Sequence, residues 1–148
     1  MALYFTKGEV AIVTGASSGI GAGVAVRLAQ LGVGGFCLTG RNSEALKETQ
    51  KQCVKQSEGR IETENVVIVV GDITDENVCA SIVKETTEKF GRIDILINNA
   101  GIFAIGLQDS TPIDQYDQIM NVNVRSVVFL TRLCIPHLRK TKERFSKL

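Results

Sequence analysis

Four short apolar runs, each followed by a stretch with helical spacing, narrow the folds open to this chain. The runs are EVAIVT (9–14), GFCLTG (35–40), VVIVV (66–70) and IDILINN (93–99). They are apolar without alternation, as strands covered on both faces are. After the first run, Ile20, Val24, Leu28 and Leu31 recur at helical spacing. Leu46, Cys53 and Val54 share one side of a helix over 43–59, and Val78, Ile82 and Phe90 one face of a helix over 75–90. A last helix has a clear start: Thr111 as cap, Pro112 at the first helical position, and Asp114 completing a capping-box pattern. Its apolar stripe takes in Tyr116, Ile119, Met120, Val124, Val127, Val128, Thr131 and Cys134, as far as Pro136.

The order βαβαβαβα calls for a parallel sheet covered by helices, and right-handed crossovers favour a doubly wound α/β arrangement. A chain of 148 residues is one domain's worth. Its net charge of +1 leaves no footprint for nucleic acid or for an anionic membrane surface. Arg139, Lys140, Lys142, Arg144 and Lys147 cluster late, relieved by Glu143, and are expected to form a solvated helix end and basic tail (139–148) after a domain over 1–138. Cys37, Cys53, Cys79 and Cys134 stand far apart and His137 is the one histidine, so no zinc-like ligand set forms from neighbours. Free thiols in a reducing compartment are the expectation. The opening MALYFTKGE is too short in apolar residues for a signal peptide, and the longest apolar runs are strand-sized.

Between the first strand and first helix lies TGASSGIG (14–21). Gly15, Gly19 and Gly21 sit where the chain must turn sharply and where backbone approaches a ligand. Bare N–H groups at a helix start attract phosphate. Without a β-carbon, Gly21 lets the helix lie close to the sheet.

The spacing TGxxxGxG, with GDIT at 71–74 and INNAG at 97–101, resembles the short-chain dehydrogenase/reductase family over about Gly8 to Leu138. The resemblance implies a Rossmann-like sheet in the order 3-2-1-4. It implies a nicotinamide dinucleotide lined by Thr14, Gly15, Ser17, Ser18, Gly19, Ile20 and Gly21. Asp72 would accept from the adenine amino group with Ile73 alongside. Asn99, Ala100 and Gly101 would pass the ribose, and Asn98 would tie strands together. Gly40 stands where the family's ribose-binding acid would be, with Arg41 beside it, so NADP is favoured over NAD.

By the same resemblance the activity is alcohol–carbonyl interconversion with a small-molecule substrate, using Asn, Ser, Tyr and Lys. MNVNVRS (120–126) matches the Asn segment, giving Asn123 that role. Neither Tyr4 nor Tyr116 belongs to a Tyr-x-x-x-Lys, and RKTKERFSKL stands where the serine strand would follow. The expectation is therefore a chain that lacks the catalytic Ser, Tyr and Lys and is inactive alone. The alternative is a non-catalytic truncated or spliced product that binds nucleotide or pairs with longer copies. A different nucleotide-binding Rossmann module, such as a methyltransferase, is a further reading, against which NNAG and GDIT count. Strand 4 would be an open edge, and the last helix's outer face a site for homo-oligomerisation. A cytoplasmic location is expected, or a peroxisomal one if Ser146-Lys147-Leu148 is read as an address.

Overall fold

The computed structural model describes residues 8–106 and 111–145; Tyr4 and Ser146-Lys147-Leu148 lie outside them. Strands β1 (Val10–Thr14), β2 (Gly35–Gly40), β3 (Val66–Val70) and β4 (Ile95–Ile97) form one sheet in the order β3-β2-β1-β4. All three pairings are parallel, with Ile12 opposite both Cys37 and Leu96. Helices α1 (Gly19–Leu31), α2 (Ser43–Gln56) and α3 (Glu76–Phe90) follow the first three strands. After β4 come α4 (Ile113–Met120), a five-residue π turn (Asn121–Arg125) and α5 (Ser126–Phe145).

Successive strand residues point to opposite faces, and here each face has its own core. Ala11, Val13, Phe36 and Leu38 pack with Ala25, Ala29, Leu46 and Cys53 of α1 and α2. Ile12 and Cys37 pack with Cys79, Ile82, Leu130 and Cys134 of α3 and α5. Both faces of β1 are therefore buried, which explains why its sequence is apolar without alternation.

Helix α1 buries Gly21, Ala25 and Ala29, a line one residue away from the expected stripe, and Ile20 is 79% exposed. The reason is distance. A helix this near the sheet accepts only small side chains underneath, whereas hydrophobicity alone ranks isoleucine above glycine. On α2, Leu46 and Cys53 are buried as expected and Thr49 joins them, its hydroxyl donating to the carbonyls of Ala16 (2.9 Å) and Ala45 (3.1 Å). On α3, Ile82 is buried together with Cys79 and Thr86, while Val78 and Phe90 are half-buried.

The last helix departs most from expectation. It begins one residue later, with Pro112 in the capping position. The π turn then breaks the helical spacing, and the second part runs through Pro136 to Phe145, so residues 139–145 extend the helix. A π turn adds one residue to a turn and shifts which face follows. The buried line on α5 is Ser126, Leu130, Cys134 and Thr141, while Tyr116 and Met120 before the π turn, and Val124 and Val128 of the expected stripe after them, are exposed.

β4 is shorter than the expected strand. Asp94 fixes its start, accepting from the Val10 amide (2.8 Å) and from Arg92 Nε (2.8 Å). Asn98 and Asn99 have already left it. All four cysteines are buried and unpaired, and burial pushes the Cys37, Cys53 and Cys134 thiols up to about 12. Among the described residues no helix is long and apolar enough to cross a membrane.

Candidate functional site

A cleft of about 520 Å³ opens at the carboxyl ends of the strands, a volume typical of ligand pockets. Its position follows from topology. The chain runs from β1 outward through β2 to β3, then crosses back to place β4 on the other side of β1. Loops leaving β1 and β4 therefore diverge and leave a crevice.

The turn after β1 forms the floor. Gly15 has φ +63° and Gly19 φ +55°, values that L side chains rarely adopt. The Ala16 amide donates to the Thr39 carbonyl at 3.0 Å and so fastens the turn to β2. Ser18 holds the capping position of α1 but makes no side-chain cap, and Gly19 and Ile20 line the cleft. The uncapped first turn of α1 thus faces an open space, the arrangement that receives an anion. Gly21 does not line the cleft. A β-carbon there would sit 2.2 Å from the Gly15 carbonyl oxygen and 2.5 Å from Asn99 Nδ2, so the bare glycine is what lets the turn close on the helix.

Thr14 and Asn99, both expected beside the cofactor, reach the cleft wall but spend their polar groups on each other's backbone. The Thr14 hydroxyl accepts from the Asn99 and Ala100 amides (3.0 Å each) and donates to the Ile97 carbonyl at 3.3 Å. Asn99 Nδ2 donates to the carbonyls of Thr14 (3.1 Å) and Gly15 (3.3 Å). These bonds lock the end of β4 to the end of β1 and leave Ala100 and Gly101 facing the cleft. The strand-tying role expected of Asn98 thus belongs to Asn99. Asn98 instead reaches α5, donating to Thr131 Oγ1 at 3.0 Å.

Ser17, Arg41, Asp72 and Ile73 line the opposite side, at the ends of β2 and β3. One oxygen of Asp72 accepts from the Thr74 amide (2.9 Å) and hydroxyl (2.7 Å). Those bonds, first the backbone one, hold its carboxyl below the usual range, and the nearby Arg41 charge pulls the same way. Among the described residues no hydrogen bond engages its second oxygen, which remains an acceptor at the cleft edge.

Asn123 sits inside the π turn. Its Nδ2 donates to the Ile102 carbonyl (2.7 Å) and its Oδ1 accepts from the Ile102 amide (2.9 Å). Through this pair the turn holds the loop after β4 in place. Arg125 braces the same turn against α3 by an ion pair with Glu76 at 2.6 Å. π turns recur at functional sites, where the extra residue re-aims a side chain. Tyr116, on α4, is 53% exposed and does not line the cleft.

Thr39, Gly40, Gly71, Ile102, Phe103 and Val122 complete the walls. Four of them adjoin motif residues and are found by position once the strands are placed. Val122 lies inside the MNVNVRS segment beside Asn123, whereas nothing in the pattern of the sequence singles out Phe103. Asn99's structural role is also hidden, because strand-ending asparagines serve turns and ligands alike.

A glycine turn that opens a helix at a topological switch point defines a nucleotide-binding doubly wound domain. The profile described as short chain dehydrogenase matches residues 9–144. A protein of Arabidopsis thaliana named 11-beta-hydroxysteroid dehydrogenase-like 3 is 37% identical over 90% of this chain and 42% of its own length. The apo form of glucose dehydrogenase of Caenorhabditis elegans superimposes with a TM-score of 0.81 at 40% identity, over 94% of this chain and 53% of that one. L-sorbose reductase of Gluconobacter frateurii, solved with NADPH and L-sorbose, gives a TM-score of 0.84 at 26% identity, over 95% and 51%. The chain belongs to the short-chain dehydrogenase/reductase family, oxidoreductases built on a Rossmann fold for a nicotinamide dinucleotide. It spans about half the length, or less, of these relatives.

Proposed function

We propose that this chain binds the dinucleotide of an alcohol–carbonyl oxidoreductase and prefers NADP(H) to NAD(H). The observation that carries the preference is Arg41 on the cleft wall directly after Gly40 at the end of β2. A carboxylate there would bind a ribose 2′-hydroxyl and repel a 2′-phosphate; an arginine fork suits the phosphate. The diphosphate lies over the uncapped turn at Gly19 and Ile20. The free oxygen of Asp72 takes the adenine amino group, with Ile73 against the ring. Ala100 and Gly101 leave room for the second ribose, and Thr14, Asn99 and Gly21 hold the floor on which it rests. Ser17 and Ser18 offer hydroxyls beside the phosphates. When bound, the cofactor supplies the hydride. Asn123, at the same end, is the one member of the family's catalytic set matched here, and the chain by itself does not turn over.

Arg41→Ala tests the preference. Removing a charge-assisted contact is expected to weaken NADPH by about 1.5–3 kcal/mol, roughly tenfold to a hundredfold or more, and to leave NADH unchanged. Dissociation constants from cofactor fluorescence read both. Equal loss for the two cofactors would remove Arg41 from the 2′-position.

A second copy of the chain is the partner we infer for the outer face of α4 and α5. Ile113, Tyr116, Met120, Val124 and Val128 form an exposed apolar ladder at helical spacing. Asp114 and Asp117 stand at its beginning, and the exposed Arg132, Arg139 and Lys140 lie beyond its end. An antiparallel copy sets acid against base at both ends while covering the apolar middle. Sedimentation should show a dimer, and Val128→Asp should weaken its association at least tenfold. A wild-type monomer at micromolar concentration would refute this.

A further inference from the structure

The cleft changes character from one end to the other. Its two charged residues, Arg41 and Asp72, stand on the β2 and β3 side. At the β4 end the wall is made of Asn99, whose Nδ2 is bonded to the Thr14 and Gly15 carbonyls, and of Ala100, Gly101, Ile102, Phe103 and Val122, and no charged side chain lines it among the described residues. Phe103 is 85% exposed and its neighbour Ile105 92%. Of the two asparagines that flank Val122, Asn123 is already bonded at both amide atoms to the Ile102 backbone.

An aromatic ring held bare at the mouth of a ligand cleft gains free energy when an apolar surface covers it. A hydroxyl-rich substrate needs directed donors and acceptors at several positions, since polar groups that lose water without a partner weaken binding. This end offers apolar cover and few such partners. We propose that the substrate held here is a carbonyl or alcohol carried on an apolar alicyclic or aromatic skeleton, laid against Phe103, and not a sugar. The proposal rests on the cofactor reading above, which sets the reacting end of the dinucleotide beside Ala100 and Gly101.

A solvatochromic naphthyl ketone tests it by binding alone, on the chain as it stands, with and without NADPH. The wild type should bind the ketone with a blue-shifted emission that a hundredfold excess of glucose does not reverse. Phe103→Ser should weaken the ketone at least tenfold, Phe103→Leu by no more than about threefold, and neither should change NADPH affinity by more than twofold. Because the ring is exposed, both variants should keep the wild-type circular dichroism spectrum. Undiminished ketone binding by Phe103→Ser, or displacement of the ketone by glucose, overturns the proposal. So does a Phe103→Ser chain that changes from dimer to monomer while binding the ketone as before, since the ring is then an interface contact. Ketone binding that depends on Phe103 in a chain that fails to bind NADPH supports the apolar site and sinks the cofactor reading instead.

Discussion

Gly21→Ala should lower the thermal midpoint by roughly 6–12 °C, while Gly23→Ala, two residues along the same helix, should raise it slightly. The added methyl at 21 would stand 2.2 Å from the Gly15 carbonyl oxygen and 2.5 Å from Asn99 Nδ2. Neither neighbour can give way cheaply. Gly15 is backbone in a left-handed turn, and Asn99 is bonded to the carbonyls of Thr14 and Gly15. Forcing α1 outward disturbs the packing of Ala25 and Ala29 beneath it. Overpacking of this kind costs about 3 kcal/mol at the upper end of its usual range, which for a domain of this size is a shift of that order in the midpoint. At Gly23 a β-carbon meets nothing within 4 Å. Only the helix propensity term acts there, and it favours alanine by about 0.5–1 kcal/mol. Thermal melts of the two variants should therefore move in opposite directions. A neutral Gly21→Ala would mean that the turn and helix are not packed as described. The same variant should lose NADPH binding, because the displaced turn no longer presents Gly19 and Ile20 to the cleft.

Glycine 21 also shows which parts of the fold the sequence makes legible. The four strands and the glycine turn are written in local features, unbroken apolar runs and glycines at fixed spacing after the first of them, while the order of the strands in the sheet comes from the family resemblance. What escapes is decided by packing distance. The buried line of α1 is Gly21, Ala25 and Ala29 because the helix lies close, and no hydrophobicity scale would choose those three over Ile20 and Leu28. On the last helix the expected stripe lies on the solvent face from its start at Tyr116 and Met120, stays there across the π turn at Val124 and Val128, and the buried line begins at Ser126. The site divides in the same way. The residues expected at the cofactor on the turn, on GDIT and on NNAG are found by motif, and of these all but Gly21 reach the cleft. Their roles are less legible, since Thr14 and Asn99 look like ligand contacts in sequence and act as a clamp between β1 and β4.

No alcohol or carbonyl turnover is expected from this chain purified alone, although the cofactor should bind. Reducing a carbonyl takes a hydride to carbon and a proton to oxygen, and the dinucleotide provides only the first. The proton needs a titratable group within hydrogen-bond reach of the reacting oxygen. Among the described residues the titratable side chains on the cleft walls are Arg41 and Asp72, and both stand at the adenosine end. Asn123 lies at the right end, but an amide has no proton to release, and its atoms already hold the Ile102 backbone. Tyr116 is on the outer face of α4, and the thiols are buried with raised pKa values. A general acid is worth about 10²- to 10⁴-fold in rate, and without positioning of the substrate oxygen the loss is larger still. NADPH consumption with the naphthyl ketone, followed by absorbance, should therefore stay at the protein-free rate. Turnover that survives further purification and disappears in Asn123→Ala would show that this end of the cleft holds a proton source, and the expectation of an inactive chain would fall.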